Sequence, residues 1–195
     1  HPSVRRSPPE GAIRLVHHGN ANSDRGLDSM IEVVRRLGGR YSLDLYLLGD
    51  ARHIQYLKSR ADGCNWIQFK PPVSFEHIVP MLSGYDMGFY LLQPTGFNTL
   101  FALPNKFFEF IQARLAVAVG PSPEMASIVR KFGLGVVADG FSVEEMVATL
   151  ERLTPDDVAG MQAAANRAAA ELCWEQESLR LRTVFESALG SRGSG

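Results

Sequence analysis

The residues best suited to binding chemistry lie in an otherwise apolar stretch, residues 103–110 (LPNKFFEF). A helix would bring Lys106 and Glu109 onto one edge, since they are three residues apart. Pro104 suits the first position of that helix. The positive helix end could meet phosphate, and a carboxylate could accept ribose hydroxyls. The same spacing also fits a solvated ion pair, so spacing alone leaves both interpretations open.

A polar loop precedes this helix and would face any ligand at its amino end. Its polar or small members are Gly96, Asn98 and Thr99. Backbone amides and short hydroxyl or amide side chains are typical of phosphate contacts at helix ends. The loop therefore adds to the candidate nucleotide site.

A second candidate site follows the first predicted strand, in a loop over residues 18–26 that is rich in Gly, Asn and Ser and includes Gly19 and Asn20. Arg25 ends the loop close to a predicted helix amino terminus, where it could hold a diphosphate. Arg25 could equally be a surface arginine at a helix start. No G-x-G-x-x-G and no phosphate-binding G-x-x-x-x-G-K-[ST] follows a strand, which disfavours redox dinucleotides and P-loop hydrolysis.

The elements that would position these residues alternate between strand and helix about six times. Connections too long for hairpins indicate a parallel sheet. We predict an α/β fold: a Rossmann-like, doubly wound parallel sheet of about six strands, with helices on both faces and extra C-terminal helices up to residue 189. Ligands of such sheets bind beyond the carboxyl ends of the strands, here in the loops 18–26, 70–74 and 93–106.

Composition narrows the function further. The 195 residues suit one domain, which we place at 12–189, with a linker over 1–11 and a flexible tail over 190–195. A net charge of −1 gives no general attraction to nucleic acid. Two distant cysteines and no clustered ligands predict no metal, and no apolar run is long enough to span a membrane. A reducing cytoplasm is the expected compartment.

Several segments, in this order and spacing, resemble the C-terminal, donor-binding half of a GT-B glycosyltransferase of the family 4-like kind (glycosyl transferases group 1). They cover about residues 12–189. The segments are Arg25-Gly26-Leu27, 45–49 (LYLLG), Ile67-Gln68-Phe69 before Pro71-Pro72-Val73, 85–88 (YDMG), 103–110, 123–135 and Cys173-Trp174-Glu175.

The resemblance implies roles for particular residues. Glu109 matches the carboxylate that takes the ribose hydroxyls of a nucleotide sugar, and Arg25 matches a basic residue that holds the donor diphosphate. A second basic residue is usual at the end of the first strand, but His18, Gly19 and Asn20 stand there.

The same resemblance places the base and the sugar less firmly. Residues 70–73, with Pro72 and Val73, would line the base, and Lys106 would either neighbour the phosphates or pair with Glu109. The family has a sugar-binding glutamate eight residues before Glu109, where this chain has Phe101. The donor sugar, and a retaining or inverting outcome, therefore stay open, and no catalytic residue is identified.

The function implied is donor binding for transfer of a sugar to a glycan, lipid or small-molecule acceptor. Transfer would need the N-terminal acceptor domain of the same protein, so this half alone should bind donor without turnover. No cofactor is expected, and peripheral contact of the full-length enzyme with the inner membrane is left open. The alternatives are a catalytically silent nucleotide-binding or interaction domain and, less favoured, a GT-B-type sugar-nucleotide epimerase.

Overall fold

The computed structural model describes residues 11–172 of the chain, and its centre is a sheet of six parallel strands in the order β3-β2-β1-β4-β5-β6. The predicted Rossmann-like α/β fold is therefore confirmed. The strands are β1 Ile13–Asn20, β2 Tyr41–Leu48, β3 Ile67–Lys70, β4 Met87–Tyr90, β5 Ala116–Val119 and β6 Gly135–Val137.

Helices join the strands and cover both faces of the sheet. They are α1 Leu27–Leu37, α2 Ala51–Arg60, α3 Ile78–Leu82, α4 Phe97–Leu100, α5 Asn105–Gln112, α6 Pro123–Phe132, α7 Val143–Glu151 and α8 Pro155–Glu171. One apolar cluster packs α1 and α7 against one face, and a second packs α5, α6 and α8 against the other. This two-sided burial explains why β4 and β5 are apolar throughout.

The strand order reverses beside β1, which pairs with β2 on one side and with β4 on the other. The chain connections that follow β1 and β4 run in opposite directions along the sheet. A crevice therefore opens beyond the carboxyl ends of β1 and β4. Gly88 lets α5 approach β4 closely, because a β-carbon there would collide with the Phe110 ring. This close packing helps to hold α5 against β4, beside the crevice.

Some boundaries differ from the sequence expectation. We predicted the first strand over residues 12–17, but β1 continues to Asn20 because its pairing with β2 extends through Gly19 and Asn20. Residues 97–100 form the one-turn helix α4 rather than an irregular loop. Most of the predicted linker, the terminal helix 174–189 and the tail 190–195 lie outside the described residues. No helix within residues 11–172 is long and apolar enough to cross a membrane.

Candidate functional site

Five residues meet at the crevice where the strand order reverses, and we call them the switch-point cluster. They are His17, His18, Gly19, Lys106 and Glu109. The first three end β1, and the last two lie on the first turns of α5. Folding thus brings together groups that are 89 positions apart in the chain.

The Glu109 carboxylate lies beside the His18 ring. Its Oε2 lies 3.1 Å from His18 Nε2, at an angle that does not form a well-aligned hydrogen bond. The His18 ring is buried and meets the Phe110 ring edge-on at 5.6 Å. The Glu109 side chain keeps 18% of its surface accessible, so the carboxylate can still accept hydroxyl groups from a ligand.

The Lys106 ammonium group lies in a partly enclosed position over the end of β1. Its Nζ is 3.3 Å from His17 Nε2 and 4.9 Å from the centre of the Tyr90 ring. A β-carbon on Gly19 would come within 2.8 Å of Nζ, so the missing side chain makes room for the ammonium group. Gly19 also has a φ of 123°, which disfavours other residues. Asn20 follows as an exposed residue at the strand end.

The charges in this cluster influence one another. Burial, reinforced by the Lys106 charge, lowers the pKa of His17 well below its usual range. Burial lowers the pKa of Lys106 to about 8, with a further contribution from the Arg25 charge and an opposing one from Glu109. At neutral pH His17 is therefore neutral, while Lys106 remains mostly an ammonium ion.

Arg25 approaches the same place from the turn Ser23–Arg25, directly after β1. Its charge acts on both Lys106 and His17, which places the guanidinium group near the cluster. Gly26 then starts α1 in the left-handed conformation, with a φ of 68°. A β-carbon on Gly26 would collide with the carbonyl oxygen of Leu91, so the turn packs tightly on the end of β4.

Asn98 and Thr99 lie on α4, apart from the cluster. The Thr99 hydroxyl accepts from the Gly96 N–H and donates to the Gly96 carbonyl, both at 2.9 Å, so it closes its own turn. Asn98 is exposed, and no hydrogen bond joins Asn98 or Thr99 to Lys106 or Glu109 among the described residues. These two predicted ligand residues are thus not brought together with the rest.

Aromatic side chains dominate the exposed surface of α4 and of the residue that follows it. Phe97 is 75% exposed and lies 4.6 Å, centre to centre, from the ring of Phe101. Phe101 stands where the resemblance expects a sugar-binding glutamate, and it cannot accept hydrogen bonds from sugar hydroxyls. This part of the site offers an apolar contact instead.

A separate cleft of about 240 Å³ opens beyond the ends of β2 and β3. Pro72 lines this cleft, whereas Val73 lies just past its lining residues. The end of β3 is two strand spacings from β1, about 10 Å, a separation that an extended nucleotide can bridge. The lining residues are Leu45, Leu47, Ile54, Lys58, Phe69, Lys70, Pro71 and Pro72.

One residue of the cluster, His17, and the Tyr90 ring that contacts it were not singled out from the sequence. His17 was treated only as part of a strand, and Tyr90 as part of another. The alternation of side chains along β1 could have indicated His17, because it places His17 on the same buried face as Leu15. A polar ring at a buried strand position requires partners, which here are the Phe89 carbonyl group at 2.9 Å and Lys106.

No group of three or more His, Cys, Asp or Glu side chains suited to a metal ion occurs in the part of the chain that the structure describes.

Comparisons with known proteins place this fold. No family model matches the chain, and no curated protein sequence matches it. Solved structures do. Sucrose-phosphate synthase from Thermosynechococcus elongatus superposes with a TM-score of 0.75 at 13% identity, over 95% of this chain and 47% of that one. A glycosyltransferase from Rickettsia africae ESF-5 gives a TM-score of 0.72 at 16% identity, over 96% of this chain and 50% of that one.

WaaG, a glycosyltransferase involved in lipopolysaccharide biosynthesis, gives a TM-score of 0.64 at 16% identity, over 84% of this chain and 44% of that one. The chain thus has the fold of GT-B glycosyltransferases. It spans about half the length of these three structures.

Proposed function

We propose that this chain is the donor-binding half of a glycosyltransferase and that it binds a nucleoside diphosphate sugar at the switch-point cluster. The fold and the half-length match to glycosyltransferase structures support this assignment. A ligand at the carboxyl ends of β1 and β4 is what the reversal of strand order favours.

One observation carries the proposal: a single turn of α5 presents a cation and a carboxylate to the end of β1. Lys106 lies over the bare backbone of Gly19, where a phosphate oxygen could approach its ammonium protons. Glu109, which lies beside His18, remains accessible to accept two ribose hydroxyls. Lys106 and Glu109 thus match, respectively, the diphosphate and the ribose of a nucleoside diphosphate.

The diphosphate would be held by two basic side chains that come from different elements. Arg25 comes from the turn after β1, and Lys106 comes from α5. The strand end itself carries Gly19 and Asn20, so Lys106 supplies the second positive charge that β1 lacks. Burial and, in addition, the Arg25 charge lower the pKa of Lys106, and this proximity of charges fits two cations sharing one anionic ligand.

The base would occupy the cleft lined by Phe69 and the Pro71-Pro72 turn. Its apolar floor suits the faces of a heterocycle, while backbone groups of the turn can read the edge. Glu109 would then bind the ribose between the cleft and the cations.

In the complete enzyme, Arg25 and Lys106 would stabilise the negative charge that develops on the departing nucleoside diphosphate as the glycosidic bond to the donor breaks. This contribution requires neither a metal nor a cofactor. The acceptor, whether glycan, lipid or small molecule, would be held by an N-terminal half. The half described above therefore binds donor and does not transfer its sugar.

Calorimetric titration of the chain with UDP, GDP, ADP and their sugars tests the proposal. One nucleoside diphosphate should bind, and Glu109→Ala should weaken it by about 1–3 kcal/mol through loss of charge-assisted hydrogen bonds. Glu124→Ala, on the exposed side of α6, is the matched control and should leave the affinity unchanged. The proposal fails if no nucleotide binds at millimolar concentration or if both variants behave alike.

A catalytically silent binding domain is the second candidate, and one observation favours it. The segment from Leu91 to Pro104 contains no carboxylate, so this loop lacks the charged acceptor that a glutamate would offer to the sugar. A full-length protein that binds the donor yet neither transfers nor hydrolyses it would support the silent function. Measurable turnover of the bound donor would exclude it.

A further inference from the structure

His17 is fully buried, and both of its ring nitrogens are engaged. Nδ1 lies 2.9 Å from the carbonyl oxygen of Phe89, and Nε2 lies 3.3 Å from Lys106 Nζ. The ring stacks on Tyr90 with 5.7 Å between centres and 20° between planes. Its orientation is therefore fixed on three sides.

These contacts determine which nitrogen carries the proton. A carbonyl oxygen can only accept, so Nδ1 must be the donor to Phe89. Burial keeps the ring neutral, as the strongly lowered pKa of His17 also indicates. Nε2 then has a free lone pair, and the Lys106 ammonium group donates one proton to it.

The remaining ammonium protons of Lys106 are left for another acceptor. The Tyr90 ring face stabilises the charge at 4.9 Å but takes no full hydrogen bond. The nearby carboxylate, Glu109, lies against His18 instead. Among the side chains that the structure describes, no carboxylate oxygen forms a salt bridge with Lys106.

We propose that His17 is a positioning residue, whose neutral Nε2 holds the Lys106 ammonium group over Gly19 so that its other protons face a phosphate group. An Nε2 acceptor anchors the Lys106 cation and leaves its positive charge in place. A carboxylate at the same position would neutralise that charge. The inference rests on the proposed function in that the anion is the diphosphate of a donor.

Two substitutions separate this role from simple packing. His17→Asn places an amide N–H near the position of Nδ1, so it keeps the bond to the Phe89 carbonyl and loses Lys106. His17→Gln places an amide oxygen near the position of Nε2, so it keeps an acceptor for Lys106 and loses Phe89. Both remove ring volume beside Tyr90, so both should lower the unfolding midpoint similarly.

Binding of inorganic diphosphate to the full 195-residue chain provides the readout. The Asn variant should bind at least about fivefold more weakly than wild type, the value of one hydrogen bond, whereas the Gln variant should stay within about twofold. In a Lys106→Met background, His17→Asn should cause no further loss, because the two side chains act as one unit. Nitrogen NMR should show the Nδ1–H tautomer of His17 at neutral pH.

The inference is overturned by equal effects of the Asn and Gln variants, by a His17→Asn effect that persists without Lys106, by an Nε2–H tautomer, or by a wild-type chain that does not bind diphosphate at millimolar concentration. Its failure is distinct from failure of the proposed function. If diphosphate binds with this pattern but no nucleoside diphosphate does, the donor-binding assignment is wrong and the role of His17 stands.

Discussion

The switch-point cluster and the loop over residues 93–104 lie at the same edge of the sheet but are built differently. In the cluster, His17 and Lys106 each contact side chains or backbone from a distant element. In the loop, the contacts of Thr99 and Phe97 are mainly local, to Gly96 and Phe101. His17 and His18 of the cluster are buried, whereas Phe97 is largely exposed.

Under the proposed function, this difference separates two tasks of a donor site. A diphosphate and a ribose have fixed chemistry, and the groups proposed to bind them sit on a strand end and on a helix that the core holds in place. The sugar differs between donors, and the loop beside its proposed position carries Phe101 where the resemblance implies a glutamate. Under the proposed function, rigid elements would carry the common part of donor recognition, and the loop would carry the part that is specific to the sugar.

The largest effect should come from Gly26, the residue through which the turn after β1 packs on the end of β4. Gly26→Ala puts a β-carbon against the Leu91 carbonyl oxygen at a left-handed φ. We expect a loss of about 2–4 kcal/mol in the free energy of unfolding, measured with urea.

Gly160→Ala is the matched control for that measurement. Gly160 lies within α8, and an added β-carbon there meets no atom within 4 Å. The control should stabilise the protein by about 0.5–1 kcal/mol through helix propensity. Equal effects at the two glycines would show that the close approach of Gly26 to the Leu91 carbonyl group is not under steric constraint.

Lys106→Met should weaken binding of the nucleoside diphosphate by about 10- to 100-fold, because a charge-assisted contact to phosphate is lost. The free energy of unfolding should stay the same or rise, since the substitution removes a poorly solvated cation that forms no salt bridge with a described carboxylate. Lys131→Met, on the exposed side of α6, is the control and should not alter affinity. A large loss of stability in Lys106→Met would instead assign Lys106 a structural role.

The pH dependence of binding should follow Lys106, whose pKa burial lowers to about 8. Between pH 7 and 9 the ammonium form falls about tenfold, and affinity for the diphosphate should fall with it. The groups that face Lys106 are His17, Tyr90, Arg25 and Glu109, and Arg25 remains charged throughout this range.

Stability should change in the opposite direction over an overlapping range. Between about pH 8 and 10.5 the unfolded chain binds the lysine proton more tightly than the folded chain, so the contribution of Lys106 to stability rises with pH. Lys106→Arg stays charged and should flatten both profiles. An unchanged affinity up to pH 9 in wild type would contradict a role for Lys106 as the phosphate-binding cation.

The smallest effect should come from Phe97. Because its side chain is mostly in solvent, Phe97→Ser should change the free energy of unfolding by no more than about 0.5 kcal/mol. The affinity for the nucleoside diphosphate should stay within about twofold of wild type, whereas the ratio of affinities for different nucleotide sugars should change. A loss of affinity for the diphosphate itself would show that cluster and loop are not separable.

The sequence was sufficient to predict the α/β fold because its hydrophobic period alternates clearly and its Gly and Pro residues mark most element ends. It also indicated Lys106 and Glu109, since their spacing in an apolar helix is a local property. Their partners were not predictable in the same way. The contacts of His17 and His18 with α5 depend on which strands are neighbours, and β1 was expected to end before His18 and Gly19.

The interval of 89 residues between His17 and Lys106 has a consequence for the order of folding. During synthesis, the end of β1 leaves the ribosome well before α5, and the site cannot exist until β4 has paired with β1. A ligand that bridges the two segments therefore binds only chains in which this central pairing is complete. It should slow hydrogen exchange at the β1–β4 ladder, and through mass action it would act as a thermodynamic check on correct assembly.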